Sequence, residues 1–371
     1  MPYIENYMKV CEIMMEILCA LPAGLLFLTA FLLIRSPGKT HPFLDANKKE
    51  IAGSISEKTF VEINGIRQGM FIRGKNTNNP MVLFVHGGPG MPEYFLAEKY
   101  MMIFEERFTV CYWDQRGSGI SYRSNSACKS ITTEQLIADA IAVTNYLRKR
   151  FGQEKIYLMA HSWGTFLGIQ AAAHAPELYH AYIGIAQVSQ QQESEKMAYQ
   201  YMLSQYKASG NQAKLKKLKD YSDYLANPSL RDEAMHELGI GTMHNMRSVF
   251  TGIFLLVMQC RAYTLTEKIN IWRGKAALNN VTDLRRQMSE ADMIRKVSKL
   301  KIPAYFFSGV YDYTVSYILA ESYFKQLQVH VKGFYLFRQS AHSPVFEEPE
   351  KAVCIMLEDV LAGKNSLSDI K

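Results

Sequence analysis

A serine in this chain lies within a pattern typical of a catalytic nucleophile. Residues 160–164 read AHSWG and follow the apolar run 156–159, with a helix-like segment after them. The pattern matches the strand–turn–helix motif G-x-S-x-G, in which a sharp turn pushes the serine side chain clear of the backbone. Ala160 replaces the first glycine, and alanine is small enough to avoid a clash with the neighbouring elements. Ser162 is therefore the predicted nucleophile.

Asp312 and His342 are the candidate partners of this serine. A serine hydroxyl needs a histidine base, and the histidine needs a carboxylate that fixes its tautomer. In enzymes with this turn, the three residues follow the order Ser, Asp, His along the chain. Asp312 lies after the apolar run 304–307, and His342 lies after the run 334–337. The order and the strand context together predict a triad of Ser162, Asp312 and His342.

A glycine-rich loop supplies the third element of this chemistry. Residues 86–90 read HGGPG and follow the apolar run 81–85. Glycines let a backbone approach a substrate closely, so one N–H of this loop and the N–H of Trp163 are expected to bind the oxyanion. An ordinary Gly-Pro turn is the alternative interpretation. The six cysteines form no C-x-x-C pair, and neither a metal nor an organic cofactor is expected.

Short apolar runs that alternate with helix-like segments position these residues. The runs 81–85, 109–113 and 156–159 are unbroken, as in strands that are covered on both faces. Helix-like segments such as Thr133 to Arg150 and Trp163 to His174 separate the runs. This alternation predicts an α/β architecture with a mostly parallel central sheet. The dipeptide Asn64-Gly65 predicts a tight hairpin before the first buried run.

The segment 190–301 differs from the rest of the chain. Its strand signal fades, and it reads as a helical cap inserted before the sheet resumes at Ile302. It holds 18 Lys and Arg against 11 Asp and Glu, so the net charge of +7 of the whole chain resides there. A solvated basic surface is one interpretation, and attraction to anionic lipid or to an anionic substrate is the other. No aromatic-basic motif accompanies the charge, so nucleic acid is not an expected partner.

The N-terminal residues predict a membrane anchor. Residues 17–34 carry no charge and, as a helix, span roughly 27 Å, close to the hydrocarbon thickness of a bilayer. A buried core helix and a cleaved signal peptide are the alternatives, but the segment has no polar face, no basic n-region and no A-x-A site. We expect a single-pass anchor over 1–35, a linker over 36–56 and, from the basic C-terminal flank, a cytoplasmic main domain.

Four motifs together resemble the proline iminopeptidase (prolyl aminopeptidase) family of α/β-hydrolases. They are HGGPG at 86–90, DQRGSG at 114–119, TTEQLIAD at 132–139 and HSWG at 161–164. The resemblance covers about Phe60 to Gln187 well and the residues from Ile302 to the C-terminus moderately. It implies the α/β-hydrolase fold, with a core in two parts, 57–189 and 302–371, on either side of the cap.

The resemblance also implies roles for individual residues. It supports the triad of Ser162, Asp312 and His342. It implies Gly88 and Trp163 as the oxyanion donors, with Gly87 as the alternative to Gly88. Asp114 and Arg116 then have structural roles, and His161 is a packing residue beside the nucleophile.

The expected function is that of a serine hydrolase that forms an acyl-enzyme and, like the resembling family, releases N-terminal residues from peptides. That family holds the substrate ammonium group with cap carboxylates, and the candidates here are Glu193, Glu195, Glu233, Glu237 and Glu267. A membrane-associated esterase, lipase or amidase for a lipophilic substrate is the first alternative. A catalytically silent membrane-bound binding module is the second. A serine at position 162 argues against epoxide hydrolases and haloalkane dehalogenases, which need aspartate there.

Overall fold

The computed structural model describes Leu26, residues 29–219 and residues 228–370. Within these residues the central element is an eight-stranded sheet with the order β1-β2-β4-β3-β5-β6-β7-β8. The strands are β1 (Ile55–Ile63), β2 (Ile66–Gly74), β3 (Met81–Val85), β4 (Thr109–Trp113), β5 (Ile156–His161), β6 (Tyr179–Ile185), β7 (Ala304–Gly309) and β8 (Lys332–Phe337). The pairs β1–β2 and β2–β4 are antiparallel, and all other neighbours are parallel. The predicted α/β fold with a mostly parallel sheet is confirmed.

The hairpin between β1 and β2 forms at the predicted dipeptide. Asn64 and Gly65 adopt φ angles of 48° and 75°, and the flanking Ile63 and Ile66 pair with each other. Asn and Gly tolerate positive φ at the two turn positions, so the turn fixes the register of both strands. Every residue of β3, β4, β5 and β7 is buried. Their unbroken apolar sequences follow from this burial, because helices cover both faces of the sheet.

Helices pack on both faces of the sheet. In chain order they are α1 (Tyr94–Tyr100), α2 (Met102–Arg107), α3 (Asn125–Cys128), α4 (Thr133–Phe151), α5 (Trp163–His174), α6 (Gln191–Ala208), α7 (Gln212–Lys219), α8 (Pro228–Glu237), α9 (Leu255–Gln259), α10 (Leu265–Val281), α11 (Leu284–Glu290), α12 (Met293–Lys296), α13 (Tyr317–Gln326), α14 (Pro344–Glu347) and α15 (Pro349–Ile355). Short 3₁₀ turns occur at Gly119–Ser121 and Pro176–Leu178, and π-helical turns occur at Phe250–Phe254 and Met356–Val360.

Helices α6 to α12 lie between β6 and β7 in the chain, in the segment that the sequence predicts as the cap. The first three of them, α6 to α8, share a small apolar cluster, which includes Met202, Tyr206 and Met235. The first cap residue, Gln190, forms an isolated bridge with Asp292 near the end of the cap. The chain therefore enters the cap and returns to the core at neighbouring positions.

Residues 36–56, predicted as a linker, form hydrogen bonds with both the core and the cap. The N–H groups of Gly38 and Lys39 donate to the carbonyl of Arg261 in the cap. The carbonyl of His41 accepts from the guanidinium of Arg73 in β2 at 2.6 Å. β1 begins at Ile55, inside the predicted linker.

The predicted membrane anchor lies largely outside the described residues. Of the stretch 1–35, the structure describes Leu26 and residues 29–35. Residues 29–34 are helical, and the side chains of Phe31, Leu33 and Ile34 are exposed. No helix within the described part of the chain has the length and apolar character required to cross a bilayer. The transmembrane helix therefore stays a prediction.

Candidate active site

Ser162 occupies the turn between β5 and α5. Its φ and ψ are 53° and −123°, a strained combination for a residue with a side chain. Its N–H donates to the carbonyl of Ile185 at 2.9 Å, which ties the turn to the neighbouring strand. At Gly164, an added Cβ would lie 2.1 Å from the carbonyl oxygen of Val85. The glycine is therefore required for α5 to start this close to β3.

The substitution of Ala160 for the first motif glycine is matched by a glycine in the following helix. Gly168 faces Ala160, and a Cβ added at position 168 would lie only 2.8 Å from the Cβ of Ala160. Real Cβ atoms do not approach this closely. In the usual motif the residue without a side chain is at the first position, and in this chain it is Gly168 on the facing helix.

His342 and Asp312 meet at the carboxyl ends of β8 and β7. The Nδ1 atom of His342 lies 2.9 Å from Oδ2 of Asp312, and both side chains are buried. The other carboxylate oxygen, Oδ1, accepts from the N–H of Val315 at 2.9 Å. This second bond fixes the carboxylate plane, so Asp312 presents one defined oxygen to the histidine ring.

A cavity of about 170 Å³ brings the predicted residues together. Ser162 and His342 both line it, and so do Gly87 and Gly88 of the glycine-rich loop. Cap residues complete its wall. The charged side chains around the cavity are Glu93, Glu195, Arg231, Asp232, Lys275 and Arg285. The cavity also has an apolar lining, which includes Val249, Ile253 and Trp272.

Buried hydrogen bonds hold the glycine-rich loop beside the serine. A Cβ added at Gly87 would lie 3.2 Å from the Cβ of Ser162, so the loop passes directly next to the nucleophile. Gly88 has a φ of 127°, a conformation open mainly to glycine. Gln115 braces the loop, because its side-chain amide donates to the carbonyl of His86 at 2.7 Å and its carbonyl accepts from Trp163 Nε1 at 3.2 Å.

His86 is neutral in this arrangement. Its Nε2 atom accepts from the N–H of Gln115 at 3.1 Å, so its hydrogen resides on Nδ1, which donates to the carbonyl of Gly87 at 2.8 Å. Burial lowers the pKa of His86 to about 4. A fixed neutral tautomer keeps the shape of the loop constant over the physiological pH range. Sequence reasoning missed Gln115, although it lies in the DQRGSG motif.

A model of the alpha/beta hydrolase fold family matches residues 80–349. The chain belongs to this family.

Among its curated relatives is a Bacillus subtilis (strain 168) protein named "Probable aminopeptidase YbaC", 29% identical over 304 residues, which covers 80% of this chain and 93% of the relative. The proline iminopeptidase of Clostridium botulinum (strain Hall) is 25% identical over 301 residues, covering 77% and 91%. A proline iminopeptidase structure from Mycobacterium smegmatis superposes with a TM-score of 0.60 at 13% identity, covering 82% and 98%. The resemblance noted in the sequence is confirmed.

In this α/β-hydrolase, Asp114 and Arg116 hold loops in place. Oδ2 of Asp114 accepts from the N–H of Ile120 at 2.9 Å. Arg116 forms an ion pair with the buried Asp139 at 2.7 Å, and Gln68 donates to the same carboxylate. These contacts account for the residue types at both positions without a part in the chemistry.

Among the five acids proposed from the sequence, Glu195 alone lines the cavity of this hydrolase. Glu193 pairs with Lys196 on the surface, Glu233 and Glu237 pair with Lys214, and Glu267 pairs with Lys58. Glu195 is buried and accepts two 2.7 Å bonds from Arg231.

Two cavity acids, Glu93 and Asp232, were missed by the sequence analysis. A lone acid in the apolar stretch after the HGGPG loop was the signal for Glu93. Asp232, next to Arg231 in a charged helix, gave no such signal. His161, expected only to pack, makes hydrogen bonds through both ring nitrogens.

Proposed function

We propose that this α/β-hydrolase cleaves its substrate through an acyl-enzyme on Ser162, with His342 as the general base and Asp312 as the carboxylate that orients it. The observation that carries the proposal is the 2.9 Å contact between His342 and Asp312, beside a cavity that Ser162 also lines. Nδ1–H of His342 donates to Asp312, so Nε2 is free to take the proton from the serine hydroxyl.

The reaction proceeds in two steps. The Ser162 oxygen attacks the substrate carbonyl, the serine proton moves to His342, and the negative charge develops on the carbonyl oxygen. The N–H groups of Trp163 and Gly88, with Gly87 as the alternative loop donor, stabilise this charge, and each such donor typically contributes about 2.7–4 kcal/mol. The imidazolium then protonates the leaving amine or alcohol, and water releases the acyl group by the same route in reverse.

Substrates with a free amino group are the class that we infer. Asp232 lines the cavity that Ser162 also lines, and its side chain is 34% exposed, so its carboxylate is accessible to a substrate ammonium group. The names of the curated relatives, an aminopeptidase and a proline iminopeptidase, point to the same class. We therefore propose that the enzyme removes N-terminal residues from short peptides.

A panel of chromogenic substrates tests this proposal. It compares aminoacyl amides, the same amides with acetylated amino groups, and acyl esters of increasing chain length. We expect the free aminoacyl amides to give the highest kcat/KM, and Ser162→Ala to abolish turnover. A fluorophosphonate probe provides the control for a silent binding module: the wild-type chain should be labelled at Ser162. An unlabelled wild-type chain would refute the proposed chemistry.

A lipophilic ester or amide is the second candidate substrate. Val249 and Ile253 line the cavity, while Phe250 and Leu255, close to them in the chain, expose their side chains to solvent. This segment therefore presents apolar side chains to both the cavity and the solvent, where a lipophilic group can bind. A rise of kcat/KM with acyl chain length, and no preference for a free amine, would favour this candidate.

Membrane attachment is a separate proposal, supported by the uncharged run 17–34 and the basic cap. Co-sedimentation of the full chain and of residues 36–371 with vesicles of increasing anionic lipid content tests it. Attachment through the N-terminus predicts that only the full chain sediments, whereas attachment through the cap predicts a salt-dependent signal from both.

A further inference from the structure

His161 makes two hydrogen bonds that together require an additional proton. Its Nε2 atom lies 2.8 Å from the backbone carbonyl oxygen of His342, and its Nδ1 atom lies 2.8 Å from Oε1 of Glu93. A carbonyl oxygen can only accept, so Nε2 carries a hydrogen. The contact between Nδ1 and a carboxylate oxygen needs a second hydrogen between them. His161 and Glu93 therefore hold one proton jointly, beyond the one on Nε2.

We propose that Glu93 and His161 form a second carboxylate–imidazole pair, which positions the backbone of the catalytic histidine and places a shared proton beside it. This inference rests on the proposed function of His342 as the general base. Glu93 and His161 are positioning residues here, since His161 acts on the reaction through His342 and Glu93 acts through His161.

Position is the first way in which this pair acts on His342. The His342 carbonyl is held by His161 from the sheet side, while the His342 N–H donates to the carbonyl of Gly241 in the cap. The backbone of the base is thus fixed at both of its polar groups. A misplacement of a catalytic group by about 1 Å can cost 10²-fold in rate, so loss of the bond to His161 should reduce kcat.

The burial of Glu93 makes it dependent on His161. The Glu93 side chain is 9% exposed, and its second oxygen, Oε2, has no hydrogen-bond partner among the described residues. A buried carboxylate is costly unless it is paired with a charge or protonated. The carboxylate also lies against the glycine-rich loop, 3.0 Å from the place of a Cβ at Gly87. The pair therefore contacts both the base and the oxyanion loop.

Charge is the second way in which the pair acts. Titratable groups face His161 from each element packed against it, namely Glu93, His86, Asp312 and His342. Burial lowers the pKa of His161, but the charge and hydrogen bond of Glu93 outweigh burial, so the pKa is raised. The His161 and His342 ring centroids are 4.9 Å apart. The positive charge that His161 shares with Glu93 therefore lies beside the ring of His342.

Three variants separate these effects. Glu93→Gln keeps an amide N–H that can donate to Nδ1 while Nε2–H still donates to His342, so it removes the charge and the shared proton but keeps the bonds. His161→Leu removes both bonds. His161→Gln keeps a donor that can reach the His342 carbonyl and serves as the conservative rescue. Thermal unfolding and circular dichroism establish that each variant is folded.

Nitrogen NMR of the ¹⁵N-histidine-labelled chain tests the shared proton without any need for activity. At neutral pH we expect wild-type His161, assigned by comparison with His161→Gln, to show a hydrogen at Nε2 and strong proton sharing at Nδ1. In Glu93→Gln, the His161 signals should become those of an ordinary neutral tautomer. A wild-type His161 with the signals of a neutral tautomer, unchanged in Glu93→Gln, would overturn the shared proton.

Kinetics test the effect on His342, with fluorophosphonate labelling of the wild-type chain measured first. We expect His161→Leu to lower the kcat and labelling rate at least tenfold with little change in KM, and His161→Gln to recover most of the loss. Glu93→Gln removes the positive charge beside His342, so the acid limb of kcat/KM should move to higher pH. Folded variants with wild-type rates and an unmoved acid limb would overturn the inference. An unreactive wild-type chain would instead refute the proposed function, and the NMR result would still decide whether the pair exists.

Discussion

The cavity of this α/β-hydrolase has two walls that are built in different ways. On the core side, Ser162, Asp312 and His342 each lie within a few residues of a strand end, and backbone hydrogen bonds tie Ser162 and Asp312 to strand residues. On the cap side, charged side chains on helices pair with each other, as Glu195 does with Arg231. The core thus fixes Ser162 and Asp312 through the backbone, whereas the cap fixes its charged groups through side-chain pairs.

This difference between the two walls indicates that the reaction rate and the substrate preference can change through substitutions in different parts of the molecule. A group held by the backbone keeps its position when neighbouring side chains change, which suits a reaction that tolerates little misplacement. A wall made of paired side chains can change its charge through substitutions in one helix. We therefore expect core substitutions to affect the rate more than stability, and cap substitutions to affect stability and substrate preference.

The largest expected effect is that of Asp312→Asn in the core. The Val315 N–H directs the Asn carbonyl oxygen to itself, as it does with Oδ1 of Asp312. The Asn amide would then donate to Nδ1 of His342, which forces the ring hydrogen onto Nε2 and removes the base. We expect kcat to fall about 10⁴-fold, with the thermal midpoint nearly unchanged. A loss below tenfold in a folded variant would contradict the role of Asp312.

Glu195→Gln is the matching test in the cap. Glu195 and Arg231 are both buried, and the substitution leaves the Arg231 charge with less compensation. Breaking a buried pair in this way costs about 3 kcal/mol in the free energy of unfolding. Glu193→Gln is the matched control on the same helix, since its partner Lys196 is exposed, and it should cost less than about 1 kcal/mol. Denaturant unfolding measures both variants.

A second variant decides how the cap pair contributes. Arg231 also pairs with Asp232 at 2.9 Å. Replacing all three groups, with Glu195→Leu, Arg231→Met and Asp232→Asn, removes the charges together and should recover much of the stability that Glu195→Gln loses. If Glu195→Gln is no more destabilising than Glu193→Gln, the cap wall does not depend on this pair. The contrast with the core would then need another explanation.

Glu347 connects the two walls and gives the next largest effect. It accepts from the N–H of Ala341 beside the catalytic histidine and from the N–H of His244 in the cap. Burial raises the pKa of Glu347 from its usual 4.5 to about 7. Between these two values the unfolded chain loses the proton while the folded chain keeps it, so stability falls as pH rises through that window.

We therefore expect Glu347→Gln to flatten the pH dependence of stability. From pH 4.5 to pH 7, the wild-type chain should lose about 2 kcal/mol more of its unfolding free energy than this variant does, after allowance for solvent screening. Glu350→Gln is the control, since Glu350 is exposed three residues away. Parallel stability curves for the wild type and Glu347→Gln would show that Glu347 titrates normally.

Sequence patterns predicted the core well because its signals are local. The Asn64-Gly65 turn and the helix that starts at Thr133 follow from residues within one turn of each other. The triad was predicted from residue order and strand context, since strand ends of a parallel sheet converge. The pairing of Glu93 with His161 joins residues 68 positions apart, and no local signal specifies which distant partner a buried acid meets. Asp232 in the cap escaped prediction because no local signal specifies which acid of a charged helix faces the cavity.

The smallest expected effect is within the core, at Ala160, where the chain departs from the usual turn motif. Ala160→Gly restores the motif but removes a buried methyl group and adds chain flexibility, so it should cost about 1 kcal/mol with no loss of kcat. Gly168→Ala alone forces a 2.8 Å contact between two Cβ atoms and should be destabilising. The double variant places the methyl group on the helix instead of the strand, so it should be more stable than the sum of the two single changes predicts. Additive costs would show that Ala160 and Gly168 do not share one space, and that the alanine is tolerated for a reason other than the facing glycine.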